Sequence, residues 1–191
     1  MKAKPDKVRT QILDSTILVF NDKGLKFTMD DVARRAGISK KTIYVAFRDK
    51  EDLFNHMVDY CFDSIKEAEA QVLSSDLPTV PKLRRLLGVM PERYRDIDLR
   101  KLYTLKDKYP EIFAHVAVRL ETDWEPTLAL MRKGIDEGSI RPVNLQIFKM
   151  MLEASIEQFF QRDILVENGL SYYEGLGEVV DILIDGIAVR N

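Results

Sequence analysis

Phe27-Thr28-Met29-Asp30-Asp31-Val32-Ala33-Arg34-Arg35-Ala36-Gly37-Ile38-Ser39-Lys40-Lys41-Thr42-Ile43-Tyr44-Val45-Ala46-Phe47 is the segment on which the fold turns. Thr28, with Asp31 three residues later, has the spacing of a capping box. Asp30 and Asp31 also place negative charge at the positive end of a helix dipole. Ala33 and Ala36 are small where two helices must cross closely. Gly37 supplies a turn at which a positive φ costs glycine nothing, and Ile38 plugs the angle from inside. Ser39 caps the next helix, and Asp49 with Asp52 caps the one after it. The segment has the build of a helix-turn-helix.

Ile43 and Phe47 fall four apart on one face of the helix that follows the turn, where they can pack against Ile12, Val19, Phe20, Phe27, Val32 and Leu53. The opposite side presents Ser39, Lys40, Lys41, Thr42, Tyr44 and, just beyond, Lys50. These are donors, cations and an amphipathic aromatic on a helix short enough to lie in a major groove. Lysines attract phosphate whatever the sequence, and only groups that reach base edges read it. The net charge of -2 conceals a split that suits this reading. Residues 1–50 carry 12 Lys+Arg against 6 Asp+Glu, a surplus of +6, and the remainder carries 17 against 25, or -8. A basic head sits on an acidic body, which points to a nucleic-acid-facing module and would also suit an anionic membrane surface.

Working outward, helical spacing and helix caps recur while period-2 alternation is absent, so the chain reads as all-α with nine helices. They are expected near 6–22, 28–35, 39–46, 50–74, 79–95, 98–107, 110–137, 144–165 and 171–189. The domains expected are a helix-turn-helix head over 1–50 and a helical body over 51–191, joined through the fourth helix. No stretch approaches the roughly 18 consecutive apolar residues of a membrane span, and the N-terminus does not read as a secretory signal. The expected location is the cytoplasm. A lone cysteine, Cys61, excludes an intrachain disulfide framework and a thiolate-rich metal site.

The order Ile12-Leu13, Phe20, Gly24, Phe27-Thr28, Val32-Ala33, Ala36-Gly37-Ile38-Ser39, Ile43-Tyr44, Phe47 and Lys50-Glu51-Asp52-Leu53 resembles the tetracycline-repressor (TetR) family of bacterial regulators. That resemblance implies a nine-helix subunit that dimerises through its last two helices, binds a palindromic operator and represses until an effector enters the body. Carried over by position, it makes Thr28 a phosphate contact, puts Lys40, Lys41, Thr42 and Tyr44 on the recognition surface, and has Lys50 hold phosphate from the fourth helix. Lys41 stands where the family often has a small residue, and Ala46 where it often has histidine, so base preference is open.

In the body, Leu176, Val180, Leu183 and Ile187, widened by Val179, form a helical seam that Phe148, Leu152 and Phe159 match on the preceding helix. These eight residues are the expected homodimer interface, with closure of the subunit's own core as the competing use. Met90, Tyr94, Tyr103, Phe113, Trp124 and Met151 supply the aromatic and soft apolar side chains of an effector pocket. An enzyme finds little support: there is no phosphate-cradling glycine loop, no HExxH, and no nucleophile with a base in sequence context. Gly175-Leu176-Gly177 lacks a third glycine and follows no strand. No catalytic residue, metal or cofactor is expected. The alternatives that stay open are an activator of the same fold and a helical protein-interaction module without DNA binding.

Overall fold

A computed structural model describes residues 7–95 and 105–189, apart from the side chain of Glu121. Among them strand pairing is limited to one isolated bridge between Ile140 and Ala188, and no helix is long and apolar enough to cross a membrane.

The head is built by α1 (Lys7–Lys23), a 3-10 turn (Gly24–Lys26), α2 (Met29–Ala36) and α3 (Lys40–Ala46), and runs into the long α4 (Lys50–Leu73). Its local signals act as their chemistry dictates. Thr28 Oγ1 accepts from the Asp31 amide at 3.2 Å while Asp31 Oδ2 accepts from the Thr28 amide at 3.0 Å. Gly37 ends α2 with φ 65°, a left-handed conformation that L side chains avoid. Ser39 and Asp49 then cap α3 and α4 through the amides of Thr42 and Asp52. What the local signals do not disclose is how α1 closes the other helix ends. Gln11 Nε2 donates to the Ala36 carbonyl at 2.7 Å, and Arg9 Nη1 donates to the Ala46 carbonyl at 2.8 Å. One helix thus satisfies exposed C-terminal carbonyls of two others, and the Arg9 cation sits at the negative end of α3.

The body comprises α5 (Thr79–Leu87), a 3-10 turn (Glu92–Tyr94), α6 (Leu105–Lys108), α7 (Pro110–Glu121), α8 (Glu125–Asp136), α9 (Leu145–Gln161), α10 (Ile164–Glu167) and α11 (Tyr172–Ile187). Three expected helices are revised. The fifth ends before Gly88 instead of running to 95. The helix expected over 110–137 breaks after Glu121, where Asp123 has φ 65°. Pro126 is the physical cause: it has no amide to give the Thr122 carbonyl, and its ring would clash there. The helix expected over 144–165 is interrupted at Arg162, and the short α10 that follows seats Leu165 against Gly175, where an added Cβ would lie 2.3 Å from Leu165 Cδ2. Most of the helix expected over 98–107 lies outside the described residues.

Two apolar cores result. One joins the head to the body without interruption, since Ile12, Phe20, Ile43, Phe47 and Leu53 belong to the same cluster as Tyr94, Leu105, Ile112 and Val116. The other lies under α5, α8, α9 and α11 and corrects the expected dimer seam: Phe148, Leu152, Phe159, Leu176, Val180 and Ile187 are buried inside the subunit. Val179 and Leu183 pack at that core's margin with part of their surface open. The outward apolar residues fall beside them, as Ile147, Met150 and Met151 on α9 and Ile182, 70% exposed, on α11.

Gly134 is a close-packing site in α8. An added Cβ would stand 2.4 Å from Ile140 Cδ1, 2.8 Å from Ile140 Cγ1 and 3.1 Å from Thr79 Cγ2. Gly134→Ala gains about 1 kcal/mol of helix propensity. Overpacking against a buried isoleucine costs about 1–3 kcal/mol, so the expected outcome is a net loss, seen as a melting temperature several degrees lower. Gly177→Ala, with open space at its Cβ, is expected to hold or raise it.

Candidate nucleic-acid interface

The outward face of α3 carries Lys41, Tyr44 and Val45, opposite the buried Ile43 and Phe47. Val45 is 82% exposed, the highest value among the exposed large hydrophobic residues of the described chain. Sequence reasoning missed it, although it lies two residues beyond Ile43 and so falls on the far side of a 100°-per-residue helix. A bare valine one turn from a lysine and next to a tyrosine suits a groove in which thymine methyls offer apolar contact. Arg34 and Arg35 stand exposed on α2 next to this face in sequence.

The expected contacts are not equally free. Lys41 is exposed and no described residue pairs with it. Lys40 Nζ instead donates to Asp30 Oδ2 at 2.9 Å, and that hydrogen bond raises its pKa. Thr28 Oγ1 donates to Asp31 Oδ2 at 2.9 Å, so its hydroxyl and amide both serve the cap of α2. The Lys23 ammonium, then Thr28, hold the Asp31 carboxyl down to about 2, so this cap stays anionic at neutral pH. Ser39 and Thr42 share a hydroxyl contact of 2.8 Å while Ser39 caps α3. Lys50 Nζ donates to the carbonyls of Leu25 and Phe27, each at 2.7 Å, and lies 4.2 Å from the centre of the Phe27 ring. Burial lowers its pKa. Two of its three N–H bonds therefore tie α4 to the turn before α2.

Behind the head, the body holds three neighbouring cavities. The innermost, about 100 Å3, is almost wholly apolar and takes Ile17 and Phe20 of α1 into its wall beside Met57, Met90, Tyr94 and Phe160. Burial in this wall pushes the Cys61 thiol up to about 12. A cavity of about 380 Å3 between α7 and α9 shares Val116, Leu120 and Phe160 with it. A third, about 130 Å3, shares Leu120, Trp124 and Ile156 with the second. Of the expected effector contacts, Met90 and Tyr94 line the inner cavity and Phe113 and Trp124 the larger one. Met151 stands half-exposed on α9, and its neighbour Met150 lines the larger cavity. Tyr103 lies outside the described residues.

A polar clamp bridges head and body over the inner cavity. Tyr60 donates to Asp14 Oδ1 on α1 at 3.0 Å. Arg93 donates to the Tyr60 hydroxyl at 2.8 Å and to Ser64 Oγ at 2.6 Å, with Asp14 Oδ1 3.5 Å from its Nη1. His115, on α7, faces Asp59 Oδ1 at 2.7 Å, which ties α7 to α4. Sequence patterns gave no sign of either cluster, because the hydrogen-bonded pairs are 29 to 56 residues apart.

The family described as "Bacterial regulatory proteins, tetR family" matches residues 12–57. The "Uncharacterized HTH-type transcriptional regulator YvaF" of Bacillus subtilis is 26% identical over 178 residues, which is 93% of this chain and 94% of that one. The "HTH-type transcriptional repressor KstR2" of Mycolicibacterium smegmatis is 26% identical over 148 residues, 73% of this chain and 71% of its own. A TetR transcription regulator from Haloarcula marismortui has the same fold, with a TM-score of 0.74 at 17% identity over 95% of this chain and 98% of that chain.

Proposed function

Because the chain belongs to the tetR family of bacterial regulatory proteins and is a DNA-binding transcriptional regulator, we propose that it represses its target as a cytoplasmic homodimer, by binding alone, and lets go when a small effector enters the body. The observation that carries this reading is the outward face of α3, where Lys41, Tyr44 and the almost bare Val45 stand together on a basic head. Residues 1–50 then serve as the DNA-binding unit and 51–191 as the effector and dimer unit. Lys41, Tyr44 and Val45 reach into the groove. Thr28, Ser39, Thr42 and Lys50 chiefly hold the two short helices in position, and Lys40 swings to phosphate only on leaving Asp30.

Two copies of α3 related by a two-fold axis enter successive major grooves about one helical turn apart, roughly 34 to 36 Å, or somewhat farther. Selection of binding sites from random duplexes is expected to return a palindrome. Failure to retain any duplex at low ionic strength would end the reading, and an asymmetric site would end its dimeric part.

Release follows from the shared wall. Ile17 and Phe20 belong both to the head's core and to the inner cavity, and the Asp14–Tyr60–Arg93 clamp spans the same seam. A ligand that enlarges this cavity favours a different seating of α1 on α4. It shifts the population off DNA only by the difference in its affinity for the two seatings.

A further inference from the structure

We propose that Val45 reads the C5-methyl group of one thymine in each operator half-site and so fixes that base; this rests on the reading of α3 as the helix that enters the groove. A single exposed valine is ordinary on a protein surface, and what singles this one out is its place. It is 82% exposed, one helical turn from Lys41 and next to Tyr44, on a helix that contains no acidic residue to repel phosphate. Valine is also a poorer helix former than alanine, and at this position it gains no burial in return.

The chemistry of the groove decides what such a side chain can meet. Of the groups that base pairs set on the major-groove edge, the ring nitrogens, carbonyl oxygens and exocyclic amines are polar, and the thymine methyl alone is apolar. A polar edge pressed against Val45 loses its water and gains no partner. A methyl has no such loss, and apolar area is buried on both sides of the contact. Val45 therefore selects twice, by attraction to thymine and by penalty against the polar edges. Branching at Cβ holds its two γ-methyls in one preferred rotamer on a helix, which suits a partner of fixed position. Lys41 and Tyr44 bring hydrogen-bond donors to the same face, and Val45 adds a contact that makes no hydrogen-bonding demand.

Replacing thymine by uracil deletes this methyl and leaves every hydrogen-bonding group of the base pair in place. Operators selected from random duplexes are expected to hold a fixed thymine in each half-site. Uracil at that position in both half-sites is expected to weaken binding by the full-length protein about fifteenfold, the product of two losses of about fourfold for one methyl each. Val45→Ala removes both γ-methyls and keeps a good helix former, so the fold is preserved. It is expected to bind the thymine operator about tenfold more weakly than the parent, and to bind the thymine and uracil operators alike. A selected operator with no fixed thymine overturns the proposal, as does a parent indifferent to uracil at every thymine. A uracil penalty that Val45→Ala retains in full overturns it too, because another side chain then reads the methyl. In each of these cases operator binding by the parent leaves the groove reading standing. If the parent retains no duplex at low ionic strength, that reading falls and takes the proposal with it.

Discussion

Lys41→Ala is expected to weaken operator binding by about 10- to 100-fold and to reduce the slope of log K against log salt by about two. The size follows from symmetry: every substitution on α3 is present twice in a dimer on a palindrome, so two cations leave the grooves together. It also follows from Lys41 having no partner among the described residues, which lets its charge serve DNA without first breaking a bond. Lys40→Ala should do less, because that ammonium is shared with Asp30 at 2.9 Å and must be withdrawn from it before it can meet a phosphate. Anisotropy titrations at several salt concentrations, on a selected operator and on a scrambled duplex, separate the roles. Equal losses on both duplexes assign Lys41 to phosphate, and a loss confined to the operator assigns it to a base edge. Unchanged affinity and slope on both would remove α3 as the reading helix. Lys41 is exposed and supports no packing, so a change in melting temperature is not expected to confuse the result.

The head was legible because its signals act within four residues. The Thr28–Asp31 box, the turn at Gly37 and the Ser39 cap each state a backbone conformation that needs no knowledge of the rest of the chain. What such signals cannot convey is which polar groups the fold has already used. Lys50 reads as a free cation until two carbonyls from 23 and 25 residues away are brought to its ammonium. Lys40 reads likewise until Asp30 arrives from the neighbouring helix. Glu153 on a mixed helix reads as a solvated carboxylate, and only the cavity lined by α7 and α9 makes it a wall. The break before Pro126 was written in the chain, but the apolar spacing on either side of it argues for continuity, and two helices that meet end to end keep that spacing.

The proposed dimer face shows where periodicity is silent for a physical reason. Helices α9 and α11 are apolar on two sides, so each offers two seams. Spacing alone does not say whether the seam at Leu176 and Val180 or the one at Val179 and Ile182 faces the subunit's own core. Packing decides it: Leu176 and Val180 are buried, whereas Ile182 is left open and Val179 is only partly covered. The pattern is not scattered. Val179, Ile182, Leu183 and Gly186 on α11, and Ile147, Met150, Met151 and Ala154 on α9, each repeat at i, i+3, i+4 and i+7, which is the stripe of a helix that packs on another. A monomer rarely leaves apolar residues so grouped in water. An added Cβ at Gly186 would meet nothing within 4 Å in the subunit, so its bare backbone leaves room for close approach by a partner helix.

Ile182→Asp tests this face directly. In an isologous interface it removes two isoleucines and installs two carboxylates where water is excluded. Each pair of buried charge and lost apolar contact costs about 2 kcal/mol or more, so dimer affinity should fall at least about a thousandfold. Sedimentation equilibrium at micromolar protein is then expected to show monomer for the variant and dimer for the parent. Operator affinity should drop by about 100-fold or more as one half-site loses the help of the other, while binding to an isolated half-site is retained. Leu152→Ala gives the contrasting result, since that side chain is inside the subunit: a fold weaker by about 2–5 kcal/mol with assembly preserved. A folded Ile182→Asp protein that remains dimeric would move the interface elsewhere. The open stripe on α11 would then need another partner, because Ile182 is too exposed to serve its own core.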